Sequence, residues 1–170
     1  MTNEEWAASD DALKMLKALY DLDPTLFKKT GNALHRYLIA CCWKIEDLIP
    51  QQVLQDGLKG TVNWIEGRIT DEEFRHLEWC AEAEAFMLDY AKTPEDFDEI
   101  RKMIAGTEQL QSMPLDAARK KLMDAAYFTD RTMVHPTTKS SPYNNRFFAS
   151  EFQCPDLLRE YIKPDFGTRH

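Results

Sequence analysis

Apolar positions recur every three to four residues through most of this chain, the period of an amphipathic helix, and no strong strand pattern appears. Thr2 and Glu5 have the spacing of a capping box. Ser9-Asp10-Asp11 then precedes a helix carrying Leu13, Leu16, Ala18, Leu19 and Tyr20, which Asp23-Pro24 stops. Leu34, Tyr37, Leu38, Cys41, Ile45, Leu48 and Ile49 share one helical face, with Ile39, Cys42 and Trp43 adding apolar surface around it. The pattern predicts a central helix over 33–49, ended by Pro50. A helix near 51–66 bears Val53, Leu54, Leu58, Val62, Trp64 and Ile65 and is weakened by Gly57 and Gly60.

Glu66-Gly67-Arg68-Ile69 reads as a turn. Thr70-Asp71-Glu72-Glu73 supplies a second capping box and puts acids at the positive end of a long helix running to about Ala91. Thr93-Pro94-Glu95-Asp96 opens the next, with Phe97, Ile100 and Ile104 on one face and Gly106 as its stop. Ser112 and Pro114 start a helix with Leu115, Ala118, Leu122, Ala125 and Ala126. From 129 to 153 the period vanishes and loop formers dominate around His135 to Asn145, with Phe147, Phe148 and Phe152 available to tie the segment to a core. A short helix with Leu157, Leu158, Tyr161 and Ile162 ends before Pro164. The expected fold is one all-α domain, a single compact bundle of six to seven helices. Its parts are a helical body over 1–128, an irregular segment over 129–153, and a C-terminal helix and tail over 154–170.

The size, 170 residues with 44% hydrophobic and 11% aromatic positions, supports a buried core and argues against a disordered chain. A net charge of −8 opposes the basic patch that nucleic acid requires. There is no run of eighteen apolar residues, and the acidic, polar N-terminus differs from a signal peptide, so a soluble cytoplasmic protein without membrane association is expected.

Charge is concentrated. Residues 71–100 hold eleven acids against Arg75 and Lys92, so essentially all the excess negative charge of the chain lies in one helix pair and its turn. Within the first of these helices Phe74, Leu77, Ala81, Ala85 and Leu88 share a face. Trp79, Ala83, Phe86 and Tyr90 lie nearly opposite, with Asp71, Glu78, Glu82 and Asp89 as an acidic ridge between. Such a helix is either sandwiched between two layers or offers its second face to a partner. In the second case Glu78, Trp79, Glu82, Phe86, Asp89, Glu95, Asp96, Asp98 and Glu99 form a platform for a basic protein, because charge steers encounter and aromatic rings anchor contact.

Candidate chemistry is sparse. Cys41, Cys42, Cys80 and Cys154 have no zinc-type spacing and are expected to be reduced thiols, mostly buried, without disulfide or zinc. His35, His76, His135 and His170 offer no paired metal-ligand spacing. His35 stands six or seven residues from Cys41 and Cys42, about 9–10 Å along a helix axis, too far for a nucleophile pair. Glu82 and Asp89 could serve acid–base work or bind a cation, but acids on exposed helices are usually solvated. No phosphate-binding glycine motif occurs, and no cofactor is expected.

The opening Met1-Thr2-Asn3-Glu4-Glu5-Trp6, the block Arg36 to Trp43 with its Ala40-Cys41-Cys42 centre, the run Glu66 to Phe74 and the tail Gln153-Cys154-Pro155-Asp156-Leu157-Leu158-Arg159-Glu160 carry a likeness. On these residues the chain resembles a family of small, uncharacterised all-helical proteins of large-genome bacteria. It departs from that pattern at Trp43-Lys44 and at Pro164-Asp165-Phe166-Gly167. The resemblance implies an all-helical bacterial protein and assigns no functional residue.

Three functional classes follow. The first is a protein-binding module, specifically an immunity protein or antitoxin that neutralises a basic toxin domain through its acidic surface. The second is a scaffold or subunit with no inhibitory role. The third is an enzyme with a site near the 135–145 loop, although no catalytic signature supports it.

Overall fold

A computed structural model describes residues 1–133 and 151–167. Among these residues the fold is all-α. Eight α-helices run in order: α1 (Asn3–Ala8), α2 (Ala12–Leu22), α3 (Ala33–Lys44), α4 (Gln52–Ile65), α5 (Asp71–Tyr90), α6 (Pro94–Gly106), α7 (Leu115–Met133) and α8 (Pro155–Tyr161). Three 3₁₀ turns, Pro24–Lys28, Glu46–Leu48 and Glu108–Leu110, lie between them. The helix starts follow local chemistry. Thr2 with Glu5, Thr70 with Glu73, and Thr93 with Asp96 each form a reciprocal capping box, and the Asp11 side chain caps α2 by accepting from the Lys14 N–H.

The chain divides into two compact units, Met1–Cys41 with Val134–His170, and Cys42–Met133. In the first, α2 packs on α8, and Arg159 reaches from α8 to donate to the Ser9 carbonyl at 2.6 Å, fixing the turn between α1 and α2. Trp6 is buried beside Phe166, with ring centroids 5.7 Å apart. The fully buried Tyr37 of α3 donates its hydroxyl to Gln153 Oε1 at 2.6 Å and accepts from the Cys154 N–H at 3.1 Å. Burial holds its phenol far above the usual range. Tyr37→Phe would leave that amide N–H and the Gln153 carbonyl oxygen without their partner. It is expected to lower stability by about 1–3 kcal/mol in urea unfolding, with the helical circular dichroism retained.

In the second unit α5 packs against both α4 and α7, α4 packs against α7, and α6 lies on α5 and α7. The core alternates large residues (Leu54, Leu58, Phe74, Leu88, Leu122, Phe128) with Ala81, Ala85, Ala118, Ala125 and Ala126, which lets the helices approach closely. Gly57 and Gly60 belong to this contact. A methyl group on Gly57 would stand 2.7 Å from Met133 Sδ, and one on Gly60 2.2 Å from Leu77 Cδ1. The helix-weakening reading of these two residues thus omits their packing role.

Two expected boundaries are corrected. The central helix ends at Lys44 instead of continuing to 49. Pro50 disfavours the helical region for Ile49, whose φ of −121° and ψ of 62° leave the helix, and the preceding turn tightens into 3₁₀ geometry. The irregular segment begins later than residue 129, because α7 continues through Met133. Thr129, Asp130 and Thr132 look like loop residues yet are buried there. The Thr129 and Thr132 hydroxyls donate to the carbonyls of Ala125 at 2.9 Å and Phe128 at 2.8 Å, satisfying themselves within the helix. Glu151 and Phe152 form a turn, with Phe152 buried as expected. Phe147, Phe148 and the His135 to Asn145 stretch lie outside the described residues.

Candidate functional site

Helix α5 is fixed at both ends. At its N-terminus, Trp64 stacks on Phe74 with centroids 4.2 Å apart and donates its indole N–H to Asp71 at 2.8 Å. At its C-terminus no basic residue of α5 itself offsets the orphan carbonyls, and Arg119 of α7 does so. Its guanidinium donates to the Leu88 carbonyl at 3.0 and 2.9 Å and to that of Asp89 at 3.1 Å, while lying 5.2 Å from the Phe97 ring centre of α6.

Held this way, α5 buries Phe74, Ala81, Ala85 and Leu88 and half-buries Leu77. Its other apolar face is open. Trp79 is 68% exposed and Tyr90 64%, Ala83 is exposed, and Phe86 is half-buried. Phe86 makes edge contacts with Tyr90 and with Tyr127 of α7, each at 5.9 Å between centroids. Tyr127 donates its hydroxyl to Asp89 at 2.9 Å, and its pKa is pushed up to about 12, first by burial and then by that carboxylate.

The nine residues expected to contact a partner separate into two groups. Glu78, Trp79, Glu82, Phe86 and Asp89 fall along one side of α5. Glu78 and Glu82 are half-buried toward Asp130 of α7, a residue that sequence reading placed in a loop. Burial raises the Glu78 pKa, the charge of Glu82 adds to the rise, and Arg75 pulls the other way. Asp130, with only 3% of its surface exposed, is pushed up to about 6. Burial is the main cause; Glu82 and Glu78 add to it, and Arg131 opposes it from 3.7 Å.

The α6 acids are engaged locally. Asp96 closes the capping box, and the N–H groups of Thr93 and Lys92 hold its carboxyl below the usual range. Asp98 pairs with Arg101 at 2.8 Å and Glu99 with Lys102 at 2.6 Å, the first bases beyond the acidic window. Glu95 is exposed. The field of the helix pair is therefore dominated by α5.

Cys41 and Cys42 are buried, whereas Cys80 and Cys154 are only half-buried, and none of the four is joined in a disulfide. His35 is buried and accepts from the Gly31 N–H through Nδ1 at 3.0 Å, so its ring nitrogen serves the start of α3. On α5, Cys80 Sγ stands 3.9 Å from His76 Nε2. The mixed pair weighed from the sequence was His35 with Cys41 or Cys42, not this one, although the spacing of four residues between His76 and Cys80 puts both groups on one helical ridge. Among the described residues no group of three His, Cys, Asp or Glu side chains is placed to hold a metal ion, and no helix is long and apolar enough to cross a membrane. An open cleft of about 520 Å³ in the first unit is lined by Glu5, Lys14, Lys17, Asp21, Leu22 and Phe166, with no histidine or cysteine among them.

No family model, curated protein or solved structure matches this chain.

Proposed function

We propose that this protein is a protein-binding module that neutralises a basic bacterial toxin domain, as an immunity protein or antitoxin, through the open side of α5. The observation that carries this reading is the solvent exposure of Trp79 and Tyr90 on a helix face edged by Glu78, Glu82 and Asp89. A large ring left in water is a ready anchor for an interface, and carboxylates beside it speed encounter with a cationic cleft. The likeness of the chain's ends to helical bacterial proteins supplies the setting: a toxin made in the same cytoplasm.

The test uses the product of the reading frame adjacent to this gene, purified and captured by this protein. Changing Glu78, Glu82 and Asp89 together to Lys is expected to slow association about tenfold or more at low salt and to flatten its salt dependence. The fold should persist, because the Glu78 and Glu82 changes place positive charge beside Asp130. Trp79→Ala should instead speed dissociation, by about 30-fold for an anchor worth about 2 kcal/mol. Unchanged kinetics in both variants, or capture without loss of toxicity, would remove this reading.

A further inference from the structure

We propose that His76 and Cys80 form a chelating site for a thiophilic divalent cation of the zinc class, on a ridge of α5 that the proposed partner contact does not need. Bond lengths of about 2.3 Å to sulfur and about 2.05 Å to nitrogen, set at a tetrahedral angle, place the two ligand atoms about 3.6 Å apart. Cys80 Sγ and His76 Nε2 stand at 3.9 Å, so closing on the ion takes only a small side-chain adjustment. Both groups are reachable, since His76 is exposed and Cys80 half-buried. Thiolate with imidazole is a donor set that favours zinc-like ions over magnesium or calcium.

The surroundings favour a cation. Glu72 and Glu84 continue the same ridge at four-residue steps on either side of the pair, roughly 5–6 Å per step between Cβ atoms. They lower the cost of bringing positive charge to the helix without being ligands. The chain supplies two donors, one fewer than the three protein ligands of an open catalytic zinc site, and water takes the remaining positions. On binding, the Cys80 thiol gives its proton to solvent and its sulfur forms the metal bond, while His76 binds through neutral Nε2, so affinity falls as pH falls.

Titrating the full-length protein with Co²⁺ under a non-thiol reductant tests the site. A thiolate-to-metal charge-transfer band should appear, saturate at one ion per chain and disappear when Zn²⁺ displaces the probe. Cys80→Ser should abolish the band, and His76→Ala should weaken binding about tenfold or more. Cys154→Ser should leave both unchanged. Circular dichroism of each variant should match the parent, as His76 is exposed and Cys80→Ser changes one atom of a half-buried side chain. Absence of the band at saturating Co²⁺, its persistence in Cys80→Ser, or undiminished affinity in His76→Ala would overturn the proposal.

Discussion

Leu38→Ala is expected to lower stability by about 2–5 kcal/mol, and Ile45→Ala by only about 1 kcal/mol, although both residues belong to one apolar stripe in the sequence. Leu38 has no exposed surface and sits mid-way along α3, so truncation leaves a cavity that neighbouring helices cannot close. Ile45 is half-buried and lies past the last residue of α3, at the cap of the Glu46–Leu48 turn. Its side chain can lose contacts to water instead of leaving a void. Urea unfolding followed by helical circular dichroism separates the two, provided the slope with denaturant stays constant between variants. Equal losses would mean that the 33–49 stripe acts as one buried helix face and that the break after Lys44 has no energetic weight.

That contrast shows where sequence reasoning reaches its limit. Capping chemistry is local, so Thr2 with Glu5, Thr70 with Glu73 and Thr93-Pro94 could be read directly, and the helices begin where those residues place them. Periodicity likewise separated the two apolar faces of α5, because a rotation of 100° per residue needs no partner to be known. Which face is covered is a tertiary fact. Only the packing of α4 and α7 reveals that Phe74 and Leu88 go inside while Trp79 and Tyr90 stay in water. Burial of polar residues was the other obstacle. Thr129, Asp130 and Thr132 carry the composition of a loop; hydroxyl bonds to the preceding turn make the two threonines acceptable inside α7, while Asp130 is buried there with its pKa raised. The proposed partner surface meets both limits: its α5 rings could be named, but Tyr127 of α7 beside Phe86 and Asp130 facing Glu78 and Glu82 could not. The charge count had a similar blind spot, since Arg101 and Lys102 lie just past the window and pair with two of its acids.

Asp130→Asn should therefore stabilise the protein at neutral pH, by an amount on the order of 1–3 kcal/mol, an unusual sign for a change at a buried residue. The carboxyl titrates near 6 in the folded protein against an ordinary value of 3.8, mainly because burial strips its hydration and also because Glu82 and Glu78 of α5 face it. Arg131, exposed and 3.7 Å away, offsets only part of this. Between those two pH values the folded state holds a proton that the unfolded state has released. Stability is then highest below pH 3.8, as far as this group is concerned, and falls as pH rises through 6. An Asn side chain has no proton to lose, so this contribution vanishes, and the gain over the parent should grow from near zero at pH 4 to its full size at pH 7. Glu82→Gln should reproduce part of the effect by removing one facing charge while leaving Asp130 in place. Thermal unfolding at several pH values measures both variants. If Asp130→Asn changes stability by the same amount at pH 4 and pH 7, folding leaves the titration of this carboxyl unshifted, and the α5–α7 contact carries no charge conflict.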